Sequence, residues 1–182
     1  MNRLTTVWLR GGAAPNLDRL RSGDSSATHT HVYRVDSSAD ESLLWIEAHA
    51  REGAGAPTAG LPLPPGETFS FDLARDVGVA LASPAPWLYL VHTDIPADVV
   101  DDYNAWYDQE HLPRLVGVPG VERARRYVAD PGLSPRYLTA YDLSIKDAFE
   151  SPEGLKARKT PWTERMRSLF QNTRRKMCIL QR

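Results

Sequence analysis

The segment from residue 103 to residue 113 concentrates more chemically active side chains than any other part of the sequence. At the spacing of an α-helix, five of its residues fall at i, i+3, i+4, i+7 and i+8, which is one connected face: Tyr103, Trp106, Tyr107, Glu110 and His111. A phenol then neighbours an imidazole, and an indole neighbours a carboxylate. This face holds more functional groups than packing alone requires, so we expect it to border a ligand site.

His111 is the best single candidate for acid–base chemistry. It lies near the C-terminal end of the predicted helix, where the helix dipole favours the imidazolium form. The flanking aromatic rings desolvate it and favour the neutral form. We expect these influences to leave the pKa of His111 near neutrality, which suits a general acid or base. In the competing interpretation, His111 only caps helix carbonyls or hydrogen-bonds Tyr107 to fix the turn before Pro113.

His92 is a second candidate, on the strand expected before this helix. Strand alternation puts it on the same face as Leu88 and Leu90, so it could point into the cavity and pair with His111. A histidine on a strand also serves purely structural hydrogen bonds, and that alternative stays open.

A cluster of arginines follows the helix. Alternation puts Arg123 and Arg125 on one strand face and Arg126 on the other, so at most two of them can converge on a substrate carboxylate. We expect Arg126 and its neighbour Tyr127 to contact the ligand. Solvated edge charges that prevent strand pairing are the simpler explanation for the cluster. Glu110 is expected to form an ion pair with one of these arginines.

Bulk composition excludes several classes of partner. The 182 residues include 22 basic and 23 acidic side chains, for a net charge of −1. This mixed charge lacks the basic surface of a nucleic-acid or membrane-surface protein, so neither partner is expected. The single Cys178 excludes disulfides and cysteine-ligated zinc, and we expect it to be a small buried hydrophobe. Without a signal peptide or an apolar span, a soluble cytoplasmic protein is the expectation.

No cofactor is expected either. The sequence contains no phosphate-binding loop, no nucleophile elbow and no dinucleotide fingerprint. His29 and His31 share a strand face and could ligate a metal with His49, but no carboxylate pattern accompanies them. We therefore expect no metal site.

Hydrophobic periodicity predicts the elements that position these side chains. The second half follows the order β-α-β-β-α-β of a ferredoxin-like unit, with strands at 87–92, 121–129, 136–143 and 175–180. Pro113 and the corner at 117–120 should end its first helix, and Thr160 should cap its last. The first half has strands at 5–9, 28–35 and 42–49, a long surface loop at 51–68, and a helix or strand at 69–76.

An internal repeat at an offset of 94 residues relates the two hairpins. It places Tyr33 on Tyr127, Asp36 on Asp130 and Leu44 on Leu138. The expected fold is therefore α+β, with two ferredoxin-like halves at 1–85 and 86–182 whose antiparallel sheets form one barrel. The first half is degenerate, because its first helix is reduced to about one turn at Asn16–Leu20.

The central segment also resembles a known family. Its Trp-Tyr-x-x-x-His-x-Pro core, followed by Val118-Pro119-Gly120, is similar to the dimeric α/β-barrel superfamily, in particular its EthD-like members. The resemblance covers about residues 87–182. It implies a ligand cavity between sheet and helices or inside the barrel, and it assigns the acid–base role to His111. Such barrels usually need two chains; here two halves can supply both sheets, and a homodimer remains open.

The resulting functional expectation is a small cofactor-independent enzyme acting on a small aromatic acid, ketone or lactone. His111 would transfer the proton, while Tyr103, Trp106 and Tyr107 would shape the pocket; decarboxylation, isomerisation and ring closure stay open. The alternatives are a non-catalytic ligand-binding or structural barrel, and a haem protein with His111 or His92 as the iron ligand. An enzyme should show an enclosed pocket of about 300 Å3 or more beside His111. A structural barrel should show a hydrogen-bonded His111 with no cavity.

Overall fold

The computed structural model describes residues 2–11, 29–49 and 63–181. Within these ranges the strands are β1 (Asn2–Arg10), β2 (His29–Val35), β3 (Glu41–His49), β4 (Glu67–Gly78), β5 (Trp87–Asp94), β6 (Val121–Ala129), β7 (Tyr137–Leu143) and β8 (Gln171–Leu180). They close into one barrel in the order β1-β3-β2-β8-β5-β7-β6-β4, and β4 pairs with β1. Every neighbouring pair is antiparallel.

The two halves of the chain contribute their strands in the same arrangement. Around the barrel the first half gives β4-β1-β3-β2 and the second half gives β8-β5-β7-β6. The fold is therefore α+β with tandem ferredoxin-like halves, as predicted. The barrel closes where β4 bonds β6 and β2 bonds β8. The proposed division between residues 85 and 86 falls in the connection from β4 to β5.

The barrel interior is an apolar core built from alternate strand residues. Its buried members include Leu4, Trp8, Tyr33, Leu43, Trp45, Phe69, Phe71, Leu88, Leu90, Tyr127, Leu138 and Cys178. Cys178 is fully buried, as expected, and burial raises the pKa of its thiol to about 12. The thiol is therefore held in its unreactive protonated form.

All helices of the described residues lie in the second half and pack on the outer face of its sheet. After a 3-10 turn at Ala97–Val99 they are α1 (Val100–Trp106), a π-helical turn (Tyr107–His111), α2 (Leu112–Val116), a 3-10 turn (Ala148–Glu150), α3 (Pro152–Arg158) and α4 (Pro161–Ser168). Pro113 does not end the helix, because it lies in the first turn of α2, where its missing N–H is tolerated. None of these helices is long and apolar enough to span a membrane.

The internal repeat predicted from the sequence aligns β2 correctly with β6, but its alignment of β3 with β7 is shifted by one residue. Tyr33 and Tyr127 both face the barrel core, and they lie opposite Leu43 and Leu138 respectively. The predicted match of Leu44 with Leu138 is therefore wrong, because Leu44 faces the outer side of the first half. Between the paired residues, the second hairpin is one residue longer than the first, since Tyr127 pairs with Leu138 and Tyr33 pairs with Leu43. The helix expected at 16–20 and loop positions 51–62 lie outside the described residues.

Candidate functional site

A π-helical turn shapes the candidate site. At Tyr107–His111 the helix widens, and the N–H of Leu112 donates to the carbonyl of Tyr107, five residues earlier. This brings Trp106 into a stack with His111, five residues later, at a ring-centre distance of 4.1 Å. Tyr107 meets the same imidazole edge-on at 5.3 Å. Single π-helical turns inside α-helices occur frequently at functional sites.

His111 is a neutral, buried imidazole. Only 5% of its surface is exposed, and its Nδ1 atom is buried with no hydrogen-bond partner. Burial, reinforced by the positive charges of Arg167 and Arg158, lowers the pKa of His111 to about 3. The predicted pKa near neutrality is therefore wrong, because desolvation and the arginines outweigh the helix dipole. Among the described residues, His111 does not show the capping or Tyr107 hydrogen bond of the competing structural interpretation.

A cavity of about 220 Å3 lies beside His111, between the outer face of the second-half sheet and its helices. Aromatic rings form most of its wall: Tyr89, Trp106, Tyr107, Tyr141, Phe149 and Phe170. The volume is below the roughly 300 Å3 expected of an enzyme pocket. An apolar cavity of about 150 Å3 is enough to bind benzene, so the space accepts a single substituted ring.

The same cavity is lined by three arginines that the sequence analysis missed: Arg158, Arg167 and Arg175. They come from α3, α4 and β8, so no local sequence motif identifies them as a group. Among the described residues, only Arg158 of the three forms an ion pair, at 3.3 Å from the mostly exposed Glu150. Burial and the neighbouring arginines lower the pKa of Arg167. The arrangement has more positive than negative charge beside an aromatic pocket.

Hydrogen bonds from the last helix hold Trp106 in place. The Trp106 indole N–H donates to Thr163 Oγ1 at 3.2 Å. Thr160 caps α4 by accepting from the Thr163 N–H, and its own hydroxyl donates to Glu110 at 2.6 Å. The predicted ion pair of Glu110 with an arginine is therefore wrong, because Thr160 binds that carboxylate.

Arg126 lies behind the cavity wall rather than on it. Its guanidinium is 4.6 Å from the ring centre of Tyr103 and 4.5 Å from that of Tyr107. It also donates to Asn104 Oδ1 at 2.7 Å. At 3% exposure it is not a solvated charge. Arg126 and Tyr103 therefore support Tyr107 from behind, and neither borders the cavity.

The inner face of the same strands carries a separate charged cluster. Arg125 is buried there and bonds Asp142 at 2.7 Å as well as Glu47. Tyr127 donates to Glu47 at 2.8 Å and is also inside the barrel. Alternation of Arg125 and Arg126 is confirmed, but the edge-charge interpretation is wrong, because both are buried and the barrel is closed.

His92 also faces the barrel interior and does not pair with His111. Its ring lies 5.8 to 6.1 Å from those of Trp8, Phe69 and Phe71. Burial lowers its pKa to about 4. The predicted binding residues thus divide between the two faces of one sheet. Tyr103, Trp106, Tyr107, His111 and Arg126 are together on the helix side, whereas His92 and Tyr127 are inside the barrel. The side chains of His29 and His49 lie outside the described part of the structure.

Comparison with known proteins places the fold. No protein-family model matches the sequence, and no curated protein matches it. A ferredoxin-fold protein from Listeria monocytogenes, related to antibiotic biosynthesis monooxygenases, is 10% identical with a TM-score of 0.66, covering 100% of this chain and 96% of its own. By fold, this chain is a ferredoxin-like α/β protein whose strands close into one barrel.

Two further solved structures match over nearly the whole chain. An anthrone oxidase-like protein is 16% identical, with a TM-score of 0.61 and coverage of 99% of this chain and 92% of its own. A heme-degrading enzyme from Listeria monocytogenes is 9% identical, with a TM-score of 0.61 and coverage of 96% and 98%. At these identities the likeness concerns the fold alone.

Neither buried histidine of this α/β-barrel fits a haem. The 220 Å3 beside His111 is less than a drug-sized ligand occupies, and a tetrapyrrole is larger still. Trp106 also covers one face of that imidazole. At His92 both nitrogens are buried among the rings of Trp8, Phe69 and Phe71, which a flat macrocycle would have to displace.

Proposed function

We propose that the chain is a small enzyme that binds a single-ring aromatic carboxylate in the cavity beside His111 and acts on it by proton transfer. The observation that carries the proposal is the pairing of an aromatic pocket with three arginines that have little countercharge. The reaction needs no cofactor in this proposal, because the proton donor and acceptor are groups of the chain and the ligand.

Size selects the ring. A cavity of about 220 Å3 has room for a benzene ring with one or two small substituents. Tyr89, Tyr141 and Phe149 contact one another with ring centres 5.1 to 6.1 Å apart, which makes a rigid aromatic wall. Aromatic pairs favour edge and offset contacts at this range, so an added ring continues the same packing.

Charge selects the carboxylate. Arg158, Arg167 and Arg175 line the cavity together, and their mutual repulsion is relieved by one bound anion. A guanidinium binds a carboxylate through two parallel hydrogen bonds, so the acid group is oriented as well as held. A neutral molecule of the same shape leaves this repulsion in place.

His111 is the group that moves the proton. Its pKa is low in the free protein because of burial and the arginine charges. A bound carboxylate offsets those charges and raises the pKa, so the imidazole gains proton affinity when substrate is present. Decarboxylation, isomerisation and ring closure each require one such transfer in a site from which water is excluded.

A second candidate function is ligand binding without chemistry. The observation that favours it is the low pKa of His111, which makes the free imidazole a weak base at neutral pH. In that case the arginines and rings bind the same aromatic acids, and His111 only packs against Trp106. The two candidates share a ligand class and differ in turnover.

A panel of small acids tests both candidates. Calorimetry with benzoate, 4-hydroxybenzoate and phenylpyruvate, against neutral benzyl alcohol, measures binding, and chromatography of each mixture measures product. We expect saturable binding of the acids only, with product from at least one, and loss of product in His111→Phe. Binding with no product from any acid favours the second candidate. Equal binding of benzyl alcohol and benzoate contradicts both.

Finer placement of the chain is also a proposal. We assign it to the EthD-like group on its Trp-Tyr-x-x-x-His-x-Pro segment, as a cytoplasmic protein with a small-molecule ligand. One chain already closes the barrel, so a second copy is not needed to complete it. A homodimer would associate through outer surfaces, where Ile145 and Leu155 are half exposed. Sedimentation analysis distinguishes monomer from dimer.

A further inference from the structure

The inner face of the same sheet borders a second and larger cavity, at one mouth of the barrel. Its volume is about 510 Å3, and Trp8, Phe69 and His92 form its apolar wall. These three come from β1, β4 and β5, so both halves of the chain contribute to it. Mouths of β-barrels are among the places where small-molecule sites occur.

Two polar side chains inside the barrel lack partners at this end. Both ring nitrogens of His92 are buried without a hydrogen bond, as is the hydroxyl of Thr6. Thr6 lies between the core residues Leu4 and Trp8 on β1, and it is opposite Phe69 on β4. Buried polar groups are nearly always satisfied, and each exception requires an explanation such as a missing ligand. Of the two, His92 lines the cavity, and a ligand carrying a hydroxyl or keto oxygen would satisfy one of its ring nitrogens.

Charged residues surround the cavity mouth. Arg174 pairs with Glu67 at 3.1 Å, and Lys176 pairs with Glu41 at 2.8 Å. Arg10 lines the same cavity and forms no ion pair with any described residue. The mouth therefore has a positive charge available for an acid group.

We propose that this mouth of the barrel is a second binding site, for a two-ring aromatic carboxylate that carries a hydroxyl or keto oxygen. The rings pack on Trp8 and Phe69, the ring oxygen bonds His92, and the carboxylate meets Arg10. A neutral imidazole offers one donor and one acceptor, so either a hydroxyl or a ketone is recognised. The volume is more than twice that of the cavity beside His111, and the two sites therefore bind ligands of different size.

Entry to the site requires one ring to move. Neither nitrogen of His92 is exposed, and Trp8, at 9% exposure, is less buried than Phe69 at 4% and Phe71 at 0%. Trp8 is thus the ring expected to shift when a ligand enters, and in its new position it still packs on the ligand. Its emission is expected to change on binding, which provides an optical signal separate from calorimetry.

Titration with 6-hydroxy-2-naphthoate and 2-naphthoate tests the proposal, because the two acids differ only in a hydroxyl on the ring remote from the carboxylate. We expect one saturable site for each, with tighter binding of the hydroxy acid. His92→Phe should weaken the hydroxy acid about tenfold and leave 2-naphthoate unchanged, since one buried hydrogen bond is lost. Arg10→Gln should weaken both acids.

His111→Phe is the matched control, because His111 lines only the cavity on the other face of the sheet, and Arg175, which lines both cavities, is left unchanged. Unchanged naphthoate binding in that variant supports a separate site. Absence of saturable binding to the wild-type protein overturns the proposal, and so does a loss of binding in His111→Phe. Equal affinity of the hydroxy acid for wild type and His92→Phe also overturns it. His92→Phe removes a buried unpaired polar group, so it should fold.

Discussion

The two faces of the second-half sheet bury similar groups in opposite electrostatic settings. On the inner face, Arg125 is bound by Asp142 and Glu47, and burial is offset by these charges. On the outer face, its neighbour Arg126 lies over tyrosine rings with Asn104 as its polar partner. Arg125 on the inner face thus has carboxylates as its partners, whereas Arg126 on the outer face has none among the described residues. In the proposed function, a bound carboxylate supplies the countercharge on the outer side, in the cavity beside His111.

Replacing Arg125 and, separately, Arg126 should give the largest difference in stability between the two faces of the second-half sheet. Arg125→Met leaves the buried Asp142 and the part-buried Glu47 without their cation, so we expect a loss of about 3–5 kcal/mol in the free energy of unfolding. Arg126→Met removes only ring contacts and one hydrogen bond, for a loss of about 1–2 kcal/mol. Urea unfolding followed by circular dichroism measures both. Equal losses would contradict the contrast between the two faces.

The arginines that line the cavity beside His111 should control its affinity for aromatic acids. Arg167→Gln removes one charged contact to the carboxylate, so benzoate should bind at least tenfold more weakly. Arg165→Gln is the matched control on the same helix, because Arg165 pairs with Asp102 and does not line the cavity. Calorimetry measures the benzoate affinity of both variants. Similar weakening in both would indicate a diffuse charge effect instead of a site.

Both buried histidines should make the protein less stable in mild acid. Their folded pKa values, about 4 for His92 and about 3 for His111, are below the ordinary 6.5. Below pH 6.5 the unfolded chain binds protons that the folded chain does not, so stability should fall from pH 6.5 toward pH 4. His92→Phe and His111→Phe should each flatten this slope in urea unfolding at stepped pH. An unchanged slope in both would show that neither histidine is held neutral.

The smallest expected effect concerns the bond that holds Trp106. Thr163→Val removes the acceptor of the indole N–H, so the free energy of unfolding should fall by about 1 kcal/mol. Ser168→Ala, on the exposed side of the same helix, should change it by less than about 0.5 kcal/mol. Thermal unfolding compares the two variants. A cost at Ser168 as large as that at Thr163 would argue against a specific role for this bond.

Strand alternation was enough to predict much of the fold. Period-two patterns located β5, β6 and β7 within a residue or two, and they put Arg125 and Arg126 on opposite faces. They also put His92 with Leu88 and Leu90, which is confirmed. Strand alternation does not show which face of a sheet borders a given cavity. His92 was therefore assigned to the site of His111, although the sheet separates them.

Helical spacing failed for a different reason. The π-helical turn inserts an extra residue into the helix, so Trp106 stacks on His111 at a separation that no α-helix brings together. The near-neutral pKa predicted for His111 was wrong because burial lowers the pKa more than expected, and because Arg167 and Arg158 from later helices add positive charge. Such contacts between distant segments depend on the packing of α3 and α4 on the sheet, and no local pattern encodes them.

Titration of the His111 imidazole by NMR, with and without benzoate, tests the central claim most directly. Assignment is made by comparison with His111→Phe. The account predicts a pKa far below 6.5 in the free protein, near 3, and an increase when benzoate binds between the arginines. A pKa near 6.5 in the free protein, or one that does not change with saturating benzoate, would contradict it.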